Sequence, residues 1–396
     1  MAEEDVRNPD VAFRPADTPT TTPKARPKGD QFRWPTYGYS AERTRELRAP
    51  DWLRPPFRQS WKLPGSTLFE FPPVLARDLL FITNKDAALF AVDKDTGDVR
   101  WKRALGFRAA SSPAAAGGLL VATTKERDKG SEGGSVVAVS QKTGRTVWQR
   151  NLPSWSESSP VIADGTVYLG SQDGTVYALR LGDGKVKWTY DAPGPVKSGL
   201  ALANGKLFFG AYGGTVHAVR AKDGSEVWSV STSGDDFGLG SGDFYSTPAV
   251  AFGRVYIGNT DAKMYSFSTE DGELAWTKTT GDAVYSSPAV ADVDGLGPTV
   301  IFGSNDGTLY AVDARSGDER WTHDAGGRIM GAPTIVGRIV YFANLDSHLS
   351  FALGLRTGRN LGRIGRGGYT PVISDGRRIY LTGYSNLYRL DPRRTP

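Results

Sequence analysis

A tryptophan placed four residues after a glycine recurs six times along this chain of 396 residues. The pairs are Gly97/Trp101, Gly144/Trp148, Gly184/Trp188, Gly224/Trp228, Gly272/Trp276 and Gly317/Trp321. Successive tryptophans are 47, 40, 40, 48 and 45 residues apart. A period of roughly 40–50 residues is typical of propellers and solenoids. The chain is therefore predicted to form one repeat-built domain.

Each repeat reads as four short strands joined by glycine-containing turns, as in "SSPVIADGTVYLGSQDGTVYAL" before Trp188. Glycine supplies the positive φ that tight hairpin turns demand. The third strand, such as Thr175 to Leu179, is apolar at both alternating positions, which indicates a sheet covered on both faces. A closed ring of four-stranded antiparallel sheets buries such surfaces, so the sequence predicts an all-β propeller.

The number of strand starts predicts eight blades, of which the last, from Pro371, has only three strands and no tryptophan. The starts lie near Pro73, Pro113, Pro160, Leu200, Pro248, Pro288, Pro333 and Pro371. Residues 57–64, "FRQSWKLP", carry the same tryptophan phrase 40 residues before Trp101. We expect this strand to complete blade eight. Blade seven has Gly362 at the tryptophan position, which predicts a looser seam between blades seven and eight.

The predicted domain organisation has three parts. Residues 1–33 form a Pro/Thr-rich tether that is expected to be disordered, because it contains few large apolar residues to offset the entropy of ordering. Residues 34–56 form a lead-in segment, and residues 57–396 form the single propeller. No apolar run approaches the roughly 20 residues of a membrane helix.

The phrase "LYAVDARSGDERW", residues 309–321, and its copies resemble the repeats of the PQQ-like, or quinoprotein, eight-bladed propellers. The lead-in resembles the segment that precedes blade one in quinoprotein alcohol dehydrogenases. The likeness extends from about Trp34 to the C-terminus. It implies the fold strongly and the function weakly, because the family includes dehydrogenases, non-catalytic scaffolds of the BamB type and sensor ectodomains.

The resemblance implies where a PQQ cofactor and its calcium would lie in an enzyme of this family, on the channel axis. Glu70 aligns with a glutamate that contacts the cofactor in those enzymes. The adjacent cysteine pair is absent, and the chain has no counterpart of the asparagine-containing calcium motif or of the tryptophan beneath the cofactor. We therefore expect neither PQQ nor enzymatic activity, and we expect Glu70 to be a solvated carboxylate at the rim.

Other site chemistries have little support in the sequence. With no cysteine, thiol nucleophiles, disulfides and Cys-ligated metals are excluded. The three histidines, His217, His323 and His348, fall in different blades without metal-ligand spacing. Asp292 and Asp294 start a D-x-D-G turn like that of some calcium hairpins, but Leu296 stands where a third acidic residue is usual. We therefore expect an ordinary long turn and no bound calcium here, with a calcium site at Asp292 and Asp294 as the alternative.

The two longest insertions, residues 125–135 and 231–246, belong to loops that propeller topology places on one face. Loops on a rigid scaffold are where binding residues concentrate, so we predict that this face binds a partner. Residues three positions before each strand start should surround the channel mouth there: Glu70, Ala110, Glu157, Lys197, Tyr245, Tyr285, Met330 and Gly368. The predicted partner-binding residues are Glu70, Trp155, Glu157, Lys197, Tyr212, Asp235, Asp236, Phe237, Tyr245 and Tyr285.

The sequence favours an extracytoplasmic scaffold or binding module, tethered outside the cytoplasm, for a protein or cell-envelope polymer. Residues 350–396 hold nine arginines against Asp375 and Asp391, but without a binding module this charge does not indicate a nucleic-acid partner. We expect a monomer. Two alternatives stay open: a quinoprotein-type oxidoreductase and the ligand-sensing ectodomain of a longer protein.

Overall fold

The computed structural model describes residues 5–15, 34–50, 53–232, 242–369 and 372–393. These residues form β-strands, turns and loops that build eight sheets around a central channel. No helix with the length and hydrophobicity of a membrane span occurs within the described ranges. The eight-bladed, all-β architecture predicted from the repeats is confirmed.

The strands are numbered in chain order, and each blade runs from an inner strand at the channel to an outer strand. A two-residue strand, β1 (Glu46–Leu47), precedes the blades. Blades one to four contain β3 (Val74–Ala76), β4 (Leu79–Thr83), β5 (Ala88–Asp93), β6 (Val99–Ala104); β7 (Ala114–Ala116), β8 (Leu119–Thr124), β9 (Ser135–Ser140), β10 (Thr146–Asn151); β11 (Val161–Ala163), β12 (Thr166–Gly170), β13 (Thr175–Arg180), β14 (Val186–Asp191); and β15 (Ala201–Ala203), β16 (Lys206–Ala211), β17 (Thr215–Arg220), β18 (Glu226–Ser231). Blades five to eight contain β19 (Ala249–Ala251), β20 (Arg254–Asn259), β21 (Lys263–Ser268), β22 (Leu274–Thr279); β23 (Ala289–Val293), β24 (Gly297–Gly303), β25 (Thr308–Asp313), β26 (Glu319–Asp324); β27 (Thr334–Val336), β28 (Ile339–Asn344), β29 (Leu349–Gly354), β30 (Asn360–Ile364); and β31 (Val372–Ser374), β32 (Ile379–Gly383), β33 (Asn386–Pro392) with β2 (Phe57–Pro64).

The third strand of a blade is buried on both faces, as its apolar pattern predicts. In β13, Val176 and Ala178 pack in a cluster with residues of blade four. Tyr177 and Leu179, which point the other way, pack in a cluster with residues of blade two. Successive side chains of a strand point to opposite faces of the sheet, so this one strand contributes to two inter-blade cores. The hydrophobic core is therefore a ring of layers between blades.

The ring closes by pairing the two ends of the propeller. β2 pairs antiparallel with β33, with Phe57 opposite Pro392 and Leu63 opposite Leu387. Blade eight thus contains β31, β32 and β33 from the C-terminal end and β2 as its outer strand. The predicted role of residues 57–64 is confirmed.

The repeated tryptophan joins each blade to the next one at seven seams. Every one of these indoles donates its Nε1–H to a backbone carbonyl of the following blade, over 2.7–3.3 Å: Trp61 to Lys94, Trp101 to Gln141, Trp148 to Leu181, Trp188 to Ala221, Trp228 to Thr269, Trp276 to Ala314 and Trp321 to Leu355. The ring of Trp148 covers Gly184, whose φ is +69° and where an added Cβ would lie 2.5 Å from the indole. Glycine is needed there both for its φ and for the close approach of the ring.

The seam between blades seven and eight is filled by the lead-in segment, which corrects the expectation of a looser seam. An added Cβ on Gly362 would lie 2.8 Å from Pro55, so proline occupies the space that tryptophan fills elsewhere. Leu53 beside it is fully buried, and its carbonyl accepts a hydrogen bond of 2.7 Å from the hydroxyl of Tyr341. The Gly362 departure from the repeat therefore makes room for another part of the chain.

Residues 34–47 form a plug in the central channel, where they contact the inner strands of successive blades. Carbonyl groups of the plug accept hydrogen bonds of 2.8–2.9 Å from the backbone amides of Leu75, Ala115, Leu202, Val250, Val290, Ile335 and Gly337, in blades one, two, four, five, six and seven. The Arg43 side chain donates to the carbonyls of Ser159 and Pro160 in blade three. β1 of the plug pairs in parallel with β27. The lead-in thus closes one end of the channel.

Residues 5–15 pack on blade five, contrary to the prediction that all of residues 1–33 form a disordered tether. The amide of Asn8 donates to the carbonyl of Ala275 on the outer strand β22, over 2.7 Å. Val11 is only 4% exposed, and the buried guanidinium of Arg254 donates to the carbonyls of Val11 and Ala12. The prediction failed because a few contacts hold the segment, namely backbone hydrogen bonds, the buried Arg254 and the side chains of Val11 and Phe13, and an argument from average composition does not detect them.

Candidate functional site

A cavity of about 140 Å³ lies on the channel axis, on the face that carries the insertions. It is lined by Tyr37, Glu70, Phe71, Glu157, Ser159, Lys197, Ser198, Gly199, Tyr245, Thr247, Tyr285, Ser287, Met330, Gly331 and Tyr369. Apart from Tyr37, all of these residues come from segments that lead into the inner strands of the blades. Because seven of the eight blades, all except blade two, contribute such a segment, the propeller brings side chains far apart in sequence to one point.

Most of the residues predicted to surround the channel mouth do line this cavity. Glu70, Glu157, Lys197, Tyr245, Tyr285 and Met330 are present, whereas Ala110 and Gly368 are not. In blade eight the adjacent Tyr369 lines the cavity. Sequence reasoning did not identify Phe71 and Tyr37. Phe71 directly follows Glu70, so its position in the sequence could have predicted that it lines the cavity. Nothing in the repeat indicates Tyr37.

Tyr37 belongs to the plug, and two buried arginines hold the plug in place. Arg43 is fully buried and donates to Thr36 Oγ1 and to the carbonyls of Tyr37 and Leu200, in addition to its blade-three contacts. Burial lowers the pKa of Arg43 to about 9. The guanidinium of Arg45 lies 4.6 Å from the centroid of the Tyr37 ring. The floor of the cavity is therefore fixed by charged side chains bound to backbone carbonyls.

Glu157 is the centre of a hydrogen-bonded network at the cavity wall. Its carboxylate accepts hydrogen bonds from the Nζ of Lys125 and, over 3.2 Å, from the hydroxyl of Tyr245. Burial raises the pKa of Tyr245, and the carboxylates of Glu157 and Glu70 raise it further. The network links three blades, because Lys125, Glu157 and Tyr245 precede or follow strands of blades two, three and five.

Lysines stack on aromatic rings beside the cavity. The Nζ of Lys125 lies 4.1 Å from the ring centroid of Trp155, and that of Lys197 lies 5.1 Å from Trp155 and 4.5 Å from Tyr212. The Tyr212 ring lies 6.4 Å from that of Tyr245. Such cation–π contacts fix long side chains that would otherwise lose more entropy on binding. Trp155 and Tyr212, both predicted site residues, thus lie next to the cavity and extend its surface outward.

Glu70 is a half-buried cavity residue, which corrects its assignment as a solvated rim carboxylate. Burial raises the pKa of its carboxyl group, and the nearby Glu157 raises it further. The positive charges of Lys125 and Lys85 act in the opposite direction. The cavity therefore places two carboxylates near one another in a partly desolvated space, an arrangement that is concentrated at functional sites.

The remaining predicted binding residues, Asp235, Asp236 and Phe237, lie outside the described residues. Phe244 and Ser246, at the C-terminal end of the same insertion, are fully buried. The insertion is thus anchored in the core at its C-terminal end, beside the cavity residue Tyr245.

The candidate calcium residues lie on the opposite face, where the β23–β24 turn approaches the lead-in segment. Asp294 is 85% exposed and forms an ion pair of 3.2 Å with Arg338. Asp292 lies near Glu46, whose pKa is raised by burial and, to a smaller extent, by Asp292. Within the described ranges, no three or more His, Cys, Asp or Glu side chains are grouped so as to hold a metal ion.

Several arginines of the C-terminal segment are paired within the fold. Arg378 forms an ion pair with Asp95 of blade one, and Arg389 forms one of 2.9 Å with Asp391. Carboxylates therefore neutralise part of the positive charge of this segment, in ion pairs at blade eight and at its seam with blade one.

The family model described as outer membrane protein assembly factor BamB matches residues 57–196 and 188–394. No curated protein matches the sequence. Among solved structures, BamB from Moraxella catarrhalis is similar with a TM-score of 0.66 and 18% identity, covering 85% of this chain and 100% of that one. Quinohemoprotein alcohol dehydrogenase ADHIIG from Pseudomonas putida HK5 is similar with a TM-score of 0.76 and 13% identity, covering 92% and 81%.

A computationally designed protein, Ika8, is also similar, with a TM-score of 0.68 and 17% identity, covering 84% of this chain and 99% of that one. These structural neighbours thus include an assembly factor, an enzyme and a design. At such identities their likeness shows the fold alone, and function has to be argued from the site.

Proposed function

The chain belongs to the family of outer membrane protein assembly factor BamB, and from that premise we propose that it is a non-catalytic, extracytoplasmic binding module. In this proposal the face with the insertions binds a protein or a cell-envelope polymer. The propeller serves as a rigid scaffold, and the plug keeps the channel closed on the other side.

The observation that carries the proposal is the continuous aromatic surface around the cavity. Trp155, Tyr212, Tyr245 and Tyr285 come from four successive blades, three to six, and the rings of Tyr245 and Tyr285 lie 5.8 Å apart. Rigid tyrosines and tryptophans contribute much of the energy of protein interfaces because they bury a large area at a small entropic cost. Lys125 and Lys197 are held against these rings, so a partner does not have to order them.

A quinoprotein-type oxidoreductase is the second candidate, since the cavity lies on the channel axis and a dehydrogenase shares the fold. The side chains present do not fit a calcium-bound quinone. One of the two cavity carboxylates, Glu157, is already engaged by Lys125 and Tyr245. The chain also has no cysteine, so it lacks the adjacent cysteine pair that forms a ring next to the cofactor in the quinoprotein enzymes. We therefore derive no catalytic step.

Photo-crosslinking in the native cell envelope tests the proposal. A photoreactive residue at Tyr285 should give a defined adduct, whereas the same residue at the exposed Arg359, in a turn of the opposite face, should give none. The double variant Trp155→Ala/Tyr212→Ala should reduce the adduct at least tenfold while lowering the unfolding midpoint by no more than about a few degrees. Equal adducts from both faces would place binding elsewhere.

A separate assay addresses the oxidoreductase candidate. The purified chain, supplied with PQQ and Ca²⁺, is expected to show no dye-linked alcohol oxidation above the protein-free control. Oxidation that disappears in Glu70→Gln would overturn the non-catalytic proposal. A ligand-sensing ectodomain, the third candidate, would require a signalling domain in the same gene product.

A further inference from the structure

The outer strands of the eight blades divide into a basic half and a mixed half. β30, β2, β6 and β10, the outer strands of blades seven, eight, one and two, carry seven lysines and arginines and no aspartate or glutamate. β14, β18, β22 and β26, in blades three to six, carry three basic and four acidic residues. Because outer strands form the perimeter of a propeller, one side of the molecule is strongly positive. We call the strands β30, β2, β6 and β10 the basic flank.

Most of the charge on the basic flank is not neutralised by carboxylates. Arg100 forms an ion pair of 2.8 Å with Asp93. Among the described residues, no carboxylate lies within ion-pair distance of the other six side chains, of which one is half-buried and five are exposed. These six are Arg58, Lys62, Lys102, Arg103, Arg150 and Arg363.

The contacts that these side chains do make are with neutral groups. The Nζ of Lys102 lies 4.9 Å from the centroid of the Phe90 ring, and the guanidinium of Arg363 lies 5.3 Å from that of Phe351. Arg150 donates to the carbonyl of Gly184 over 3.3 Å. Such contacts position a cation and leave its charge available to an anion.

The basic flank is a continuous, convex band. Arg366, which follows β30, donates to the side-chain carbonyl of Gln59 on β2. Arg103 on β6 donates to the hydroxyl of Thr146 on β10 over 3.2 Å. Eight blades around one axis are about 45° apart, so β30 and β10 are separated by an arc of about 135°. A planar surface can touch only part of such an arc, whereas a flexible chain can follow all of it.

We propose that the basic flank binds a flexible, linear polyanion of the cell envelope, a polymer whose repeating units carry phosphate groups. The guanidinium fork of arginine matches the oxygens of phosphate, and four of the six unpaired cations are arginines. Phosphate accepts hydrogen bonds in several directions, which suits side chains that project from a convex surface at different angles. A carboxylate accepts them mainly in its own plane. The inference adds a second binding surface, separate from the face with the insertions.

Titration of the full chain with long-chain inorganic polyphosphate, followed by calorimetry, tests the inference. The triple variant Arg58→Gln/Lys62→Gln/Arg103→Gln should bind at least tenfold more weakly than wild type, because many weak contacts along one chain reinforce one another. Thermal unfolding of the variant should match that of wild type within a few degrees, because surface substitutions cost little stability.

A matched control separates the position of the charges from their number. Lys185→Gln/Lys222→Gln/Arg315→Gln removes three exposed cations from blades three, four and six, and it lowers the net charge equally. Its affinity for polyphosphate should stay within about twofold of wild type. Equal losses in the two triple variants would mean that net charge alone attracts the polymer, and the inference would be wrong.

The salt dependence of binding counts the contacts. Each phosphate that is neutralised on a single strand lowers the logarithm of the binding constant by about 0.7 per tenfold increase in salt. Six contacts therefore predict a slope of about −4 for wild type and of about −2 for the triple variant of the basic flank. A slope that is the same in both proteins would contradict binding by these side chains.

Variants at the two ends of the band test whether the polymer follows the arc. Arg150→Gln/Arg363→Gln should weaken the binding of long-chain polyphosphate at least fivefold and that of tripolyphosphate, which is too short to follow the arc, less than twofold. Equal effects on the two probes would contradict a chain that extends from blade seven to blade two.

Other anionic partners provide the last comparison. Phosphatidylglycerol vesicles are locally flat, duplex DNA is stiff over about 150 base pairs, and polygalacturonate carries carboxylates, so all three should bind more weakly than polyphosphate. Tighter binding of any of them, lost in the triple variant of the basic flank, would assign the flank to that partner and overturn the inference. The Tyr285 adduct should form in this variant as in wild type, because it reports on the other surface.

Discussion

His217 shows how a buried titratable residue contributes to stability without being part of a site. It is 1% exposed, stacks on Phe209 at 5.2 Å, and forms hydrogen bonds of 3.0 Å with the hydroxyl of Tyr190 and 2.9 Å with that of Thr215. Burial lowers the pKa of His217 to about 4. His217 lies in β17, in the interior of blade four.

The lowered pKa of His217 predicts a defined pH dependence of stability. The unfolded chain takes up the proton near pH 6.5, but the folded chain takes it up only near pH 4. The contribution is therefore complete above about pH 6.5 and is lost as the pH falls towards 4, by about 3 kcal/mol in total. Urea unfolding at several pH values between 4 and 7 measures the unfolding free energy. This free energy should depend less steeply on pH in His217→Gln than in wild type. Parallel curves would be inconsistent with this origin.

Two tryptophans with different environments predict different losses. Trp188→Ala removes a ring that covers Gly224 and donates to Ala221, so it should cost about 3–5 kcal/mol of unfolding free energy. Trp155→Ala removes contacts with Lys125 and Lys197 at the surface and should cost about 1 kcal/mol. Denaturant unfolding of both variants measures the difference. Equal losses would mean that the two positions have been confused.

Among the elements, the segment formed by residues 5–15 gives the sharpest departure from the sequence-based expectation. Deleting residues 1–33 should lower the unfolding midpoint by a few degrees, because Arg254 then loses the carbonyls of Val11 and Ala12 and the edge of β22 is uncovered. Arg254→Met in the full chain is the matched control, since it removes the same hydrogen bonds and keeps the segment. An unchanged midpoint after the deletion would support the dispensable tether instead.

The elements that follow the repeat were predictable, and those that do not follow it were not. A hairpin is specified by residues that are near one another in sequence. Because the same pattern occurs eight times, a strand that is unclear in one copy can be assigned from the others. The plug is specified differently, by carbonyls of residues 34–47 and by buried Arg43 and Arg45, whose partners in the blades lie between 41 and 290 residues away. No periodicity reports such contacts. The site shows the same division, since Glu157 and Tyr245 follow from blade topology and Tyr37 does not.

For the molecule as a whole, closure by β2 predicts that stability depends on the joining of its ends. A chain that begins at Pro64 should not be folded at 37 °C and should show no cooperative unfolding transition on heating. The reason is that β33 becomes an open edge and the plug is absent. A chain that begins at Trp34 keeps both and serves as the control. Differential scanning calorimetry of the two decides the matter, and matching transitions would show that the ring closes without β2.

The pairing of Phe57 with Pro392 also imposes a schedule on biosynthesis. A ribosome that adds about 5–20 residues per second reaches Pro392 roughly 15–70 s after it has made Phe57. Throughout that interval β2 has no strand to pair with, and until the later blades are made the plug lacks some of the inner strands that it binds. Seven blades can assemble in order behind the ribosome, but the ring cannot close until the polypeptide is almost finished. The seven-residue strand β33 therefore completes a blade whose outer strand, β2, was made before all eight inner strands. A ribosome that stalls before β33 leaves every earlier blade in an open arc.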